Sequence, residues 1–299
     1  MDMTGSAVHY HERHHDDQKG RQHDGSDRRS ELETPYELPP DAVSRYARDG
    51  FVRLPDVLSP ETIAAYEPTI TAKVIELNTM HLPLEERDTY HKAFLQVINL
   101  WEHSDRVREF VYSTRLARIA AELMEVDGVR IYHDQALYKE AGGGITPWHA
   151  DQYYWPFASD KTCTVWVPLQ ETPLEMGPLE FSVGSHRFEF GRDLEISDHS
   201  EEVLQRELSA QGFPIFREPY ALGEVSFHSG WTFHRAGPNT TSTPRRVMTI
   251  IYMDADIVVH EPVNDAQRND LEGHLPGAKV GEVPDTPLTP VLYRRSADQ

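Results

Sequence analysis

The chain has a single cysteine, Cys163, among 299 residues. No internal disulfide can therefore brace the fold, and this usage agrees with a reducing cytoplasm. Positive charge is also scarce: 29 Lys and Arg stand against 49 Asp and Glu, a net charge of −20 with histidine neutral. That balance repels phosphate backbones and anionic bilayers, which argues against nucleic acid and membrane surfaces as partners. No run approaches the roughly 20 apolar residues that span a bilayer, and the first residues lack the apolar core of a secretory signal. With 38% apolar residues the chain can still bury a full core. A cytoplasmic protein acting on a small molecule is expected; oligomeric state has no sequence signature here.

Residues 1–33 hold five histidines and many charges but six apolar residues. Burial cannot offset the entropy of ordering such a segment, so a disordered tail is expected, and His9, His11, His14, His15 and His23 are set aside. A single domain is expected over 34–299. Its first part, 40–127, reads as helical. "PPDAVSRYARDGFVRLPDVLSPETIAAYEPTI" predicts a helix ending near Gly50, a strand at Phe51 to Leu54, and a helix opening at Ser59-Pro60, which Pro68 is expected to interrupt. "EHSDRVREFVYSTRLARIAAELME" carries the apolar spacing of one or two amphipathic helices, with Ser104 or Asp105 as cap. "KAFLQVINLW" reads as a helix packed on the barrel or as a segment turning Gln96 and Asn99 to a pocket. Residues 128–255 change to short β-like runs: "VRIYHDQALYKE", "TCTVWVPLQ", "LEFSVGSH", "GEVSFHSG" and "RRVMTIIYMD". Several such runs between turn residues predict a sandwich or barrel of antiparallel strands. An insertion or lid near 192–216 interrupts them, with a helix around Glu201 to Ala210. The tail 256–299 is punctuated by Pro262, Pro276, Pro284, Pro287 and Pro290, which predicts little regular structure.

His-x-Asp occurs four times, at His14/Asp16, His15/Asp17, His103/Asp105 and His149/Asp151. The first two lie in the tail and the third opens a helix. The fourth sits in "TPWHADQYYWP", where an extended strand would turn residues i and i+2 to one face. An imidazole and a carboxylate side by side are half of the two-histidine, one-carboxylate set that holds non-haem iron with positions open for substrate and oxygen. His228 and His234 both qualify as the missing histidine on spacing. Iron(II) with one aspartate keeps a positive charge and welcomes an anionic chelator. An arginine fork then clamps a distal carboxylate as lysine cannot. Arg245 and Arg246, opening an apolar strand, are the candidates, and successive residues of a strand face opposite sides.

In order over roughly residues 40–255, "RDGFVRLPDVLS", "YHDQALYKEAGGG", "TPWHADQYYWP", "LEMGPLEFSVGSHR" and "FHRAGPNTTSTPRR" resemble the phytanoyl-CoA dioxygenase family of Fe(II)/2-oxoglutarate-dependent oxygenases. The resemblance implies a mainly β fold with flanking helices, a double-stranded β-helix or cupin-like jelly-roll barrel. It implies that His149, Asp151 and His234, rather than His228, hold Fe(II). It also implies that Arg245, eleven residues after the third ligand, takes 2-oxoglutarate. Lys139 and Trp166 fall at positions near that co-substrate, and Gln135 is a further candidate on the strand that leads to Lys139. Ala236 stands where some relatives carry a serine able to bond 2-oxoglutarate. Asp151 stands where halogenating relatives carry a small residue, so hydroxylation is implied: O2 and 2-oxoglutarate are consumed, succinate and CO2 released, and a C–H bond of a small organic substrate oxidised.

Trp148, Tyr153, Tyr154, Trp155 and Phe157 read as core or rim packing and receive no role. Gly142 to Gly144 read as a hinge or a connection, and Gly184 to Arg187 as a turn. The competing reading is a double-stranded β-helix that binds a metal or metabolite without oxygen chemistry.

Overall fold

Along Val247–Asp254, successive side chains meet two different environments. Met248, Ile250 and Tyr252 join the core formed with the helices, whereas Thr249 and Ile251 face a cavity. That alternation organises the computed structural model, which describes residues 31–295. The strands are β1 (Phe51–Leu54), β2 (Leu95–Ile98), β3 (Gly128–Tyr138), β4 (Thr146–His149), β5 (Thr162–Pro168), β6 (Leu179–Ser182), β7 (Ile215–Arg217), β8 (Val225–Ser229), β9 (His234–Ala236), β10 (Val247–Asp254) and β11 (Val291–Arg294). A seven-stranded antiparallel sheet runs β1-β8-β5-β10-β3-β11, with β2 also on β3; a four-stranded sheet runs β4-β9-β6-β7. The sheets are hydrogen-bonded separately, so the jelly roll is two facing sheets with flanking helices rather than a closed barrel.

The outer face of the large sheet is apolar at alternate positions: Val129 and Ile131 on β3, Val165 and Val167 on β5, and Phe227 on β8. Helix Asp105–Val111, whose Phe110 is buried, packs on helix Pro60–Leu77, and helix Thr114–Met124, whose Leu116, Ile119 and Leu123 are buried, packs on the sheet. Ser104 caps the first, accepting from Val107 N. Cys163 is on the same buried face, its thiol pushed up to about 12 by burial, and is chemically quiet. The inner face turns His133, Gln135, Thr164, Trp166, His228 and Thr249 toward the small sheet.

Four expectations are corrected. Helix Pro60–Leu77 continues through Pro68 for 18 residues. An interior proline costs about 3 kcal/mol, but Ile63, Tyr66, Ile70 and Val74 are all buried on the same helix, and each such side chain contributes roughly 1.5–3 kcal/mol. Packing outweighs propensity. Of the two readings of "KAFLQVINLW" the helical one is corrected: the stretch takes only the end of a short helix, Thr89–Ala93, and continues as strand β2, which brings Gln96 to the cavity. The C-terminal region holds helix Asp265–His274, capped by Asn264 accepting from Gln267 N, and β11, which pairs with β3. Finally, residues 31–33 are helical and Leu32 is buried, so order begins by residue 31; the five tail histidines lie outside the described residues. Among those residues no helix is long and apolar enough to cross a membrane.

Pro68 is exposed on its helix. Pro68→Ala restores a backbone donor without disturbing the buried face, and chemical denaturation should show a gain of about 1–3 kcal/mol.

Candidate active site

His149 ends β4, and His234 opens β9 directly opposite it in register; the imidazole centroids are 4.2 Å apart. Asp151 lies just beyond the strand, in the 3-10 turn Asp151–Tyr154. Ala150 between them keeps extended dihedrals, φ −125° and ψ 130°, so His149 and Asp151 still face one side although strand pairing has stopped. His149 Nδ1 donates to Pro147 O at 2.7 Å and His234 Nδ1 to Thr232 O at 2.9 Å. Those bonds set the tautomer and leave both Nε2 lone pairs free. Each Nε2 stands 3.6 Å from Asp151 Oδ1. The other carboxylate oxygen, Oδ2, accepts from Thr164 Oγ1 at 3.0 Å and from His228 Nε2 at 3.2 Å. One oxygen is thus held by the large sheet while its partner is presented to two imidazoles of the small sheet.

The electrostatics suit a metal ion. Burial, with the neighbouring His234, pushes His149 down to about 4; burial, opposed by Asp151, leaves His234 at about 4 as well. Both rings are neutral near pH 7, as a ligand must be. Burial alone would raise the Asp151 carboxyl, but His234, His228 and His149 hold it well below the usual carboxylate range. His149, Asp151 and His234 offer ligand atoms that all lie within 4.8 Å of one another. A two-nitrogen, one-oxygen set of this kind suits first-row divalent metals.

These residues line a cavity of about 230 Å³ with Trp166, Gln135 and Arg245. Arg245 is 2% exposed and forms no ion pair among the described residues. One guanidinium nitrogen donates to Gly177 O, its Nε has no partner, and burial pushes the group down to about 10. Arg246 points the other way, onto Glu67 and Gln170. The Trp166 Nε1 is likewise buried without an acceptor. Lys139 pairs backbone to backbone with Arg245, but its ammonium bonds Gly144 O and Thr146 Oγ1, and it does not line the cavity. Burial and the Arg245 charge push it well below the usual lysine range. Gln135 accepts from Gln96 Nε2 at 2.8 Å, and Gln96 lines the cavity whereas Asn99 does not. The geometry therefore combines a metal-binding set with a buried cationic arginine that lacks an anion.

Sequence reasoning missed the braces. Thr164 was unmarked, and His228, weighed only as a ligand, supports Asp151 instead. On the far side of β4, Glu201 accepts from Trp148 N at 2.8 Å and pairs with Arg235, so the inserted helix Asp198–Ala210 grips the residues next to both histidines.

The sequence profile of the phytanoyl-CoA dioxygenase (PhyH) family matches residues 46–247. The chain belongs to that family. It is a 2-oxoglutarate-dependent non-haem iron dioxygenase, using Fe(II), 2-oxoglutarate and O2. This dioxygenase is 23% identical over 224 residues to a probable alpha-ketoglutarate-dependent hypophosphite dioxygenase of Stutzerimonas stutzeri, covering 71% of this chain and 77% of that one. It is 21% identical over 252 residues to an ectoine dioxygenase of Streptomyces avermitilis, covering 77% and 83%. Among solved structures it is similar to the carbocyclase SnoK of nogalamycin biosynthesis, with 25% identity, a TM-score of 0.71, and coverage of 87% of this chain and all of that one. The epimerase SnoN in complex with Fe3+, alpha ketoglutarate and nogalamycin RO gives 27% identity, a TM-score of 0.70, and coverage of 84% and 97%.

Metal analysis of the dioxygenase after Fe(II) loading should separate the three histidines. His149→Ala and His234→Ala are expected to lose stoichiometric iron, whereas His228→Ala keeps one equivalent with affinity lowered roughly 10–100-fold, as for a residue supporting a ligand. Acid should destabilise the metal-free protein. His149 and His234 are held at about 4 and His133 at about 3, against an ordinary 6.5. The unfolded chain therefore takes up protons first, and stability falls as pH drops from about 6.5 toward 4, by up to about 1.4 kcal/mol per histidine per pH unit. Burial also raises Asp134 to about 7 and Asp270 to about 6, and their proton uptake in the folded state offsets part of this loss, so Tm should be flat from pH 7.5 to 8.5 and decline modestly from pH 6.5 to 5.

Proposed function

We propose that this dioxygenase hydroxylates a small organic molecule in the cytoplasm, with His149, Asp151 and His234 holding Fe(II) and Arg245 holding the distal carboxylate of 2-oxoglutarate. The observation that supports the ligand set is the divided carboxylate of Asp151: one oxygen is satisfied by Thr164 and His228, the other faces two Nε2 atoms at 3.6 Å. Bound iron supplies the activation of O2, with 2-oxoglutarate leaving as succinate and CO2 while a C–H bond of the substrate is oxidised.

The chain's own residues do the positioning. Burial keeps the imidazoles neutral, and the carbonyls of Pro147 and Thr232 fix their tautomer and aim. Arg245, buried without an acidic partner, supplies a fork matched to a carboxylate, a contact strengthened by the dry surroundings. Trp166 adds a buried N–H donor in the same cavity. Lys139 spends its amine on Gly144 O and Thr146 Oγ1 and braces Arg245 through the backbone, and Gln135 belongs to the polar wall shared with Gln96 rather than to the co-substrate end. The cavity volume of about 230 Å³ admits a small metabolite or one end of a larger one.

A second outcome of the same machinery is ring closure or epimerisation. The carbocyclase and the epimerase, at 25% and 27% identity, match most of this chain, and the residues proposed to hold iron and co-substrate serve all three reactions equally.

An anaerobic titration of metal-free protein with Fe(II) and then 2-oxoglutarate tests the assignment. The weak visible charge-transfer band of the chelate should appear in the wild type and be absent in His149→Ala. In Arg245→Ala it should form only at roughly 100-fold higher 2-oxoglutarate, the loss of a charge-assisted pair. Iron binding without any band would overturn the oxygenase assignment in favour of a metal-binding β-helix.

A further inference from the structure

The cavity contains a second cluster that the iron and co-substrate chemistry leaves unused. His133 on β3 faces Asp270 and His274, which lie one helical turn apart on helix Asp265–His274. Their ligand-capable atoms all lie within 4.8 Å of one another, and all three residues line the same cavity as His149 and Asp151.

Each member has unused hydrogen-bonding capacity. Asp270 Oδ2 accepts from Tyr132 OH at 2.7 Å, and its other oxygen has no donor among the described residues. No Lys or Arg pairs with Asp270 among the described residues, and burial pushes its carboxyl up to about 6. His274 Nδ1 is buried without a partner. A relay of amides runs from Tyr90 OH to Gln96 Oε1 at 2.7 Å and from Gln96 Nε2 to Gln135 Oε1 at 2.8 Å, and the Gln135 amide reaches His133 Nδ1 at 3.5 Å. With Nδ1 accepting, the neutral His133 ring carries its proton on Nε2 and offers that N–H to the cluster, while Asp270 accepts. His133 is buried and Asp270 and His274 are half-buried, so leaving these groups unfinished is costly unless a ligand or water completes them.

The spacing separates a metal from an organic ligand. At the iron set each imidazole stands 3.6 Å from the carboxylate oxygen, close to the separation that metal bonds of about 2.1 Å impose. Neither His133 nor His274 comes within ion-pair reach of Asp270. A hydrogen-bonding atom at about 2.8 Å from each partner spans the wider gap. The net charge of −20 favours neutral or cationic ligands over anions.

We propose that His133, Asp270 and His274 form a polar subsite that binds a hydrogen-bond-donating group, a hydroxyl or an amine, of the main substrate. This rests on the oxygenase assignment for its purpose but not for its measurement. The substrate is then a molecule carrying at least one hydroxyl or amino group apart from the carbon that is oxidised.

The test is equilibrium binding of benzyl alcohol, benzylamine and benzoate to the anaerobic Fe(II)/2-oxoglutarate-loaded protein, compared with Asp270→Asn and His274→Phe, both chosen to preserve shape. We expect one or both donor probes to bind, benzoate not to bind, and either variant to weaken the donor probe about tenfold or more. Loss confined to benzylamine in Asp270→Asn identifies an amine site, and loss of benzyl alcohol a hydroxyl site. The charge-transfer band should be unchanged by the probes and by both substitutions, which sets the subsite apart from the metal. Failure of the donor probes to bind, equal binding to wild type and variants, binding of benzoate as tight as that of the donors, or a second equivalent of metal that either substitution removes would each overturn the proposal. Absence of the band with donor binding intact would instead overturn the oxygenase assignment alone.

Discussion

The two sheets meet chemically at one carboxylate. Asp151 belongs to the small sheet's chain segment, yet its Oδ2 is held by Thr164 and His228 from the large sheet. A free aspartate rotates about its side-chain torsions and samples many orientations. Two donors on one oxygen reduce that set to an orientation in which Oδ1 faces His149 and His234. The spacing of the two sheets therefore becomes the geometry of the site. Anything that shifts β5 or β8 relative to β4 moves the carboxylate.

A second constraint is charge left incomplete by the protein itself. Arg245 is buried without an acid, and the half-buried Asp270 has no Lys or Arg beside it among the described residues. Each is costly in an empty cavity, and each is answered by a ligand of opposite or complementary character. Stability and recognition are in tension here: pairing these groups internally would stabilise the fold and remove the reason for a small molecule to enter.

Much of the site was legible because its residues fall in short, ordered segments: His149 and Asp151 two apart, His234 and Arg245 around the last strands. Alternation within "RRVMTIIYMD" allows only one of Arg245 and Arg246 to face inward, and the family resemblance, not the alternation, chose Arg245. What stayed hidden depends on long-range partners. Strand β11 carries no apolar alternation and exists because β3 offers a free edge. Helix Asp265–His274 has its capping signal, Asn264 with Gln267 three residues on, but neighbouring prolines made the region read as irregular. Asp270 and His274, four apart, acquire meaning only once that helix is recognised. His228 shows the same limit in another form: spacing marked it as a possible ligand, and only the facing carboxylate reveals it as a support. Pro68 was misjudged because propensity is local and the packing that overrides it is not.

The inserted helix Asp198–Ala210 has a consequence for how copies of the chain avoid one another. Strand β4 is an edge of the small sheet, and an edge with free N–H groups is a template for pairing with another molecule. Here Pro147 has no N–H to offer, the Trp148 N–H is taken by Glu201, and the indole N–H by Gln205. The segment that interrupts the strand pattern thus acts as an edge guard. It keeps the strand carrying His149 from being recruited into an intermolecular sheet, protecting the protein from aggregation at the one strand it can least spare.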